Sequence, residues 1–292
     1  MYIVRMKCKP DWITWLHEHK LREIEAVFSA CPQRTFRRGL ELGAGDGFQS
    51  TILARYVDQL VCTEINPKAL AGQNSDAIEY RICSAQEAVE VYPENTFDFI
   101  FSSNLLEHVA DPMAVIHGVC RLLRDDGLTV HILPSPFWKM CQMALYIPAH
   151  VLVLVERITR NPGFRNAARE TVWVVREFFQ GLLKGTNPTF EAAQRAEEQF
   201  GNNRGLGLKQ KSYLYSLFFS LPHGISKSHG AEFAALSKRR WIKVFREAGF
   251  SSVMVRKGPV ASGYGLGWEK IRKMLRWAGC TSEYIYFAHK KG

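Results

Sequence analysis

The chain has 292 residues and a net charge of +10, with 47% hydrophobic and 12% aromatic residues. That apolar content excludes a disordered or fibrous chain, and the length exceeds one ordinary nucleotide-binding domain by roughly 80–100 residues. Seven scattered cysteines, without CxxC or Cys/His ligand spacing, argue against a disulfide scaffold and predict no metal. With no secretory signal at Met1–Lys20, the expected compartment is the cytoplasm.

Charge is unevenly spread. Residues 38–133 carry 6 Lys/Arg against 14 Asp/Glu, whereas residues 237–292 carry 13 against 3. An acidic centre between basic flanks points to an anionic partner such as a phospholipid headgroup, a nucleic acid or a phosphorylated substrate. A merely solvated basic surface is the plainer reading.

In chain order, residues 11–31 have helical spacing, with Trp12, Trp15, Leu16, Leu21, Ile24, Val27 and Phe28 apolar. Strands are predicted near 38–43, 60–64, 79–83, 97–102 and 127–133, with helices between them, the alternation of a parallel doubly wound α/β sheet. After Pro134 the pattern breaks for about 100 residues. It resumes with a helix over 237–248 ended by Gly249, a strand over 253–256, and a last strand over 282–289, expected to be antiparallel. This gives a seven-stranded core from residues 1–135 and 237–292, a helical insertion over 136–236, and a second insertion over 259–279.

The most informative stretch is Leu40-Glu41-Leu42-Gly43-Ala44-Gly45-Asp46-Gly47. Glycines in a strand-to-helix turn remove Cβ atoms, so backbone N–H groups can approach a ligand. Glu64 ends the next strand, where a ribose needs a carboxylate acceptor. A dinucleotide turn would read G-x-G-x-x-G. Here the third glycine comes one residue early, and Glu41 and Asp46 are poor company for a pyrophosphate. They suit a ligand with a cationic centre, such as S-adenosylmethionine.

This turn resembles motif I of the class I S-adenosylmethionine-dependent methyltransferases. The run from Phe97 through Ser103-Asn104-Leu105-Leu106-Glu107-His108 to Pro112 resembles the fourth-strand motif of their type 11 branch, which includes ubiquinone-pathway enzymes. Residues 121–132 resemble the helix-turn-strand that follows in that branch. Together they cover about residues 38–135 and imply a Rossmann-like fold. The resemblance implies that Gly43, Ala44, Gly45, Asp46 and Gly47 pass under the methionine and ribose, and that Glu64, followed by Ile65, holds the ribose hydroxyls. Ser84 and Ala85 would flank the adenine, and Ser103 and Asn104 would line the methionine. The family usually has Asp where Ser84 stands, which shifts the adenine amino contact towards Gln86.

The first insertion contains three apolar segments, near 137–155, 172–183 and 213–221. Gln142, Pro148 and His150 interrupt the first, which argues against a full membrane span. A buried lid core and a face docked into a membrane interface both remain open. In residues 268–278, Trp268, Ile271, Met274, Leu275 and Ala278 share a helical face, while Lys270, Arg272, Lys273 and Arg276 occupy the rest. That composition suits a helix lying on anionic lipid, possible as peripheral attachment to the inner membrane face, and equally an ordinary surface helix.

Methyl transfer needs an in-line acceptor, and a hydroxyl acceptor gains from a general base. His108, after the fourth strand, and His223 and His229, where the insertion returns, are the candidates. Structural or exposed histidines are the competing readings. The preferred acceptor is a glycan or lipid-linked molecule, and the alternative is a soluble aromatic or quinone-like small molecule. A nucleic acid is disfavoured because the aromatics cluster with Leu and Val; a degenerate protein that only binds the cofactor is disfavoured by the intact turn.

Overall fold

Short apolar runs between turn residues become one seven-stranded sheet in the computed structural model of the protein, which describes residues 12–31, 35–70, 78–145, 172, 229–261 and 269–290. Helix α1 (Trp12–Ala30) precedes β1 (Phe36–Leu42), α2 (Phe48–Leu53), β2 (Val57–Glu64), β3 (Ile78–Ile82), α3 (Ala85–Val91) and β4 (Phe97–Ser103). A 3-10 turn (Leu106–His108), α4 (Pro112–Leu122), β5 (Leu123–Pro134) and α5 (Pro136–Ala144) follow. After the insertion come α6 (His229–Ala235), α7 (Lys238–Glu247), β6 (Ser252–Lys257), α8 (Glu269–Trp277) and β7 (Glu283–His289).

The strand order is β3-β2-β1-β4-β5-β7-β6. The pairs β1–β2, β1–β4, β2–β3 and β4–β5 are parallel, and β7 runs antiparallel to both β5 and β6. The last strand is thus antiparallel as expected, but it slots between β5 and β6 and leaves β6 at the edge.

Both faces of a parallel sheet must be covered, which is why its strands read as nearly continuous apolar runs. Successive residues alternate faces. Leu40, Leu42 and Ile100 pack with Val115, Val119, Trp241 and Phe245 of α4 and α7. Phe99, Phe101 and Val130 pack on the other side with Ile24, Val27 and Phe28 of α1 and Ile52 and Leu53 of α2. Helix α4 starts cleanly because the Asp111 side chain accepts from Ala114 N at 3.0 Å and Pro112 opens the first turn.

The chain divides into two compact units, residues 9–140 with 223–292, and residues 1–8 with 141–222. The sheet lies in the first. Of the second, only residues 141–145 and 172 are described. His223, Trp268 and most of the predicted lid therefore lie outside the described residues. Among the described residues no helix is long and apolar enough to cross a membrane.

Candidate active site

The turn after β1 is held open by its neighbours. Gly43 N and Ala44 N both donate to Thr63 O at 2.9 Å, tying the turn to β2. Gly43, Gly45 and Gly47 have φ of +73°, +58° and +76°, conformations that an L side chain rarely adopts. A Cβ on Gly43 would meet Leu105 Cδ1 at 2.9 Å, whereas one on Gly45 would project into open space. Gly45 thus presents bare backbone on the open side of the turn, at the carboxyl ends of parallel strands where ligands bind in such sheets.

Glu64 closes that turn from β2. Its Oε2 accepts from Gly45 N at 2.9 Å and its Oε1 from Asn66 N at 3.0 Å. Two lone pairs per oxygen leave acceptor capacity for a diol. Ile65 beside it is exposed, an apolar side chain next to the carboxylate.

Glu41 does not line the turn, and the expectation that it would face the ligand is corrected. It lies wholly buried beneath, where Ser50 Oγ donates to it at 2.5 Å and Cys62 Sγ at 3.2 Å. Burial pushes its carboxyl above the usual range, and these donors only partly oppose that. Its work is to tie α2 to β2. Asp46 is exposed and accepts from His17 Nε2 at 2.8 Å and from Phe48 N at 3.1 Å. Its partial burial works to raise its carboxyl pKa, but the bond from His17 and the Phe48 amide outweigh this and hold it below the usual range.

Ser84 caps α3. Its side chain accepts from Glu87 N, and the Glu87 carboxylate accepts from Ser84 N at 2.7 Å, a reciprocal capping box. Ala85 behind it is buried and Gln86 half-buried. At the end of β4, Asn104 has φ +51°, a strained value for a non-glycine residue, and its N donates to Ile132 O at 2.9 Å.

Ser103 and Asn104 do not stand alone. Lys20 Nζ donates to Ser103 Oγ at 2.7 Å, Ser103 Oγ donates to Glu23 Oε2 at 2.8 Å, and Gln49 Nε2 donates to Glu23 Oε2 at 2.8 Å. His19 Nε2 lies 2.6 Å from Glu283 Oε1 and 3.2 Å from Glu23 Oε1. Helix α1 thereby joins the turn, the end of β4 and the start of β7. Burial disfavours the charged imidazole of His19, but the two carboxylates outweigh it and raise its pKa to about 10. Burial likewise opposes ionised Glu23, yet Lys20 and His19 hold it well below the usual range. Glu107 is buried with neither oxygen hydrogen-bonded, and burial pushes it up to about 8.

Sequence reasoning read α1 as an apolar helix and missed this network. The available signal was that His19, Lys20 and Glu23 interrupt the stripe of Trp15, Ile24 and Val27 at i, i+3 and i+4 spacing. Polar residues inside a buried stripe require partners.

Of the candidate bases, the His108 side chain is 43% exposed and its Nε2 lies 3.8 Å from Glu107 Oε1. His229 opens α6, with Nδ1 3.8 Å from Glu232 Oε2. Glu232 forms a buried ion pair with Lys139 at 2.9 Å, so His229 stands beside the point where the insertion leaves and returns.

Residues 40–131 match the model of the methyltransferase domain of type 11. They form a class I, type 11 methyltransferase domain. Curated relatives include ubiquinone biosynthesis O-methyltransferases from Parvibaculum lavamentivorans, 34% identical over 31% of this chain and 38% of theirs, and from Cereibacter sphaeroides, 30% identical over 42% and 50%. The chain therefore spans half or less of the length of these relatives. Among solved structures, a SAM-dependent methyltransferase from Thermotoga maritima covers 96% of this chain and 93% of its own, at 14% identity and TM-score 0.51. One from Archaeoglobus fulgidus covers 96% and 100%, at 12% identity and TM-score 0.50. These likenesses show the fold. S-adenosylmethionine is the cofactor of this methyltransferase domain, and the open side of Gly45 with Glu64 beside it fits that group.

Proposed function

We propose that the protein is an S-adenosylmethionine-dependent O-methyltransferase that meets a glycan or lipid-linked acceptor at an anionic membrane face. The cofactor supplies an electrophilic methyl group on a sulfonium. Glu64 would receive the ribose hydroxyls, the Gly43–Gly47 backbone would bear the ligand, Ala85 and Gln86 with Ile65 would flank the adenine, and Ser103 and Asn104 would bound the methionine end. The acceptor oxygen takes the methyl carbon as the carbon–sulfur bond breaks, and its proton passes to a base. His108 is first choice because it closes the 3-10 turn that follows β4; His229 and His223 are the alternates.

The observation that carries the membrane reading is α8. None of its residues is buried, and Ile271, Met274 and Trp277 are 43%, 61% and 89% exposed. Lys270, Arg272, Lys273 and Arg276 surround them. An apolar stripe bearing a terminal Trp among basic residues is the composition of an interfacial helix. A cavity of about 460 Å³ between α1 and α8, lined by Arg22, Arg272, Lys273 and Arg276 with Glu25 and Glu269, adds a basic recess for a headgroup. Co-sedimentation with anionic vesicles tests this. Attachment that weakens with salt and is lost in Met274→Glu supports it, and wild type remaining in the supernatant at low salt overturns it.

The second reading, a soluble quinone-like aromatic acceptor, is favoured by the curated relatives, whose names specify ubiquinone biosynthesis. Formation of S-adenosylhomocysteine with phenolic acceptors in the absence of lipid separates it from the first.

A further inference from the structure

We propose that His19, Glu23 and Glu283 form a binding site for one divalent first-row metal ion, held between α1 and β7. The site is independent of the cofactor reading. His19 Nε2, a Glu23 oxygen and a Glu283 oxygen all lie within 4.8 Å of one another, and all three side chains are buried. Ligand atoms around a small divalent ion, each about 2.1 Å from it, stand about 3–4 Å apart. The three donors thus need only small shifts to close on an ion.

Two further observations point to a ligand. Glu283 Oε2 is buried with no hydrogen-bond partner, so the carboxylate that faces His19 through one oxygen has a second lone-pair edge unused. The Glu107 carboxylate is likewise buried without a hydrogen bond. A doubly charged ion would take the place of the His19 proton that lies between the Glu23 and Glu283 oxygens, with His19 as a neutral nitrogen ligand.

The donor set selects the ion. One imidazole with two carboxylates suits Mn²⁺, Fe²⁺, Co²⁺ or Zn²⁺ better than Mg²⁺ or Ca²⁺, which take oxygen ligands. Three protein ligands leave the remaining positions to water or another ligand. Lys20, which donates to Glu23 and to Ser103, orients one ligating carboxylate from the shell behind it.

The test uses the full chain stripped with EDTA and titrated with Mn²⁺, with free ion read by electron paramagnetic resonance. The titration is repeated with Co²⁺, whose visible spectrum separates nitrogen and oxygen ligation from thiolate ligation. One ion per chain is expected, without thiolate bands, and with affinity at least about tenfold weaker in Glu283→Gln and in His19→Asn. The absence of binding of either ion by wild type below about 1 mM, or binding unchanged in both variants, overturns the proposal. S-adenosylmethionine titrated into the same samples shows whether a failure belongs to the metal site or to the cofactor domain.

Discussion

Helices α7 and α8 carry nearly the same kind of sequence and meet opposite fates. Each is a short basic amphipathic helix. In α7, Ser237 caps the start by accepting from Arg240 N at 3.3 Å, and Trp241, Val244 and Phe245 are buried. Phe245 lies 5.6 Å from the ring of Tyr286 and 5.3 Å from that of His131. In α8, Ile271, Met274 and Trp277 remain in the open. Periodicity dictates that a helix will have an apolar face, but only the neighbouring elements decide what covers it. The difference makes α7 a pillar of the fold and α8 a surface for something else.

The largest effect that would break this contrast is in the core. Trp241→Ala should cost about 3–5 kcal/mol of stability, the range for removing a buried Trp, while Trp277→Ala should stay within about 0.5 kcal/mol. Urea unfolding of both variants checks the pair; equal losses would erase the distinction. Next comes pH. His131 is buried between Ser102 Oγ at 2.7 Å and Thr129 Oγ1 at 2.8 Å, and burial lowers its pKa to about 3. The unfolded chain takes up this proton at about 6.5 and the folded chain only near 3. Stability should therefore fall as pH drops below about 6.5, with a slope from this group approaching 1.4 kcal/mol per pH unit. The slope between pH 6 and 4 should be shallower by about that amount in His131→Gln. On the α8 side, Trp277→Ala should weaken binding to anionic vesicles about tenfold, or about 1.4 kcal/mol. Lys273→Ala should weaken it by about 1 kcal/mol and reduce its salt dependence. Vesicle titrations at two ionic strengths read both.

The same contrast explains what was legible. Strands β1, β2, β4 and β5 could be read because parallel strands buried on both faces carry long apolar runs, and the glycine turn because glycine adopts its positive φ values at least cost. The placement of β7 between β5 and β6 depends on long-range pairing, such as His131 with Tyr286 and Val255 with Tyr286, which no local pattern encodes. Glu41 looked like a ligand-facing charge because sequence gives the strand but not the donors, Ser50 and Cys62, that hold it underneath. Trp277 escaped the predicted apolar face of residues 268–278 and proved the most exposed of the large apolar side chains described there. The polar stripe of α1 was visible only as an irregularity, since its partners Ser103 and Glu283 come from distant strands.

The central claim is that the Gly43–Gly47 turn and Glu64 hold S-adenosylmethionine. Isothermal titration of the cofactor into wild type and Glu64→Ala tests it most directly. Wild type should bind S-adenosylmethionine and not NAD, and the variant should bind more weakly by about 1–3 kcal/mol, the range for losing a charged hydrogen-bond acceptor. Unchanged affinity in the variant, or tight NAD binding by wild type, would contradict the account.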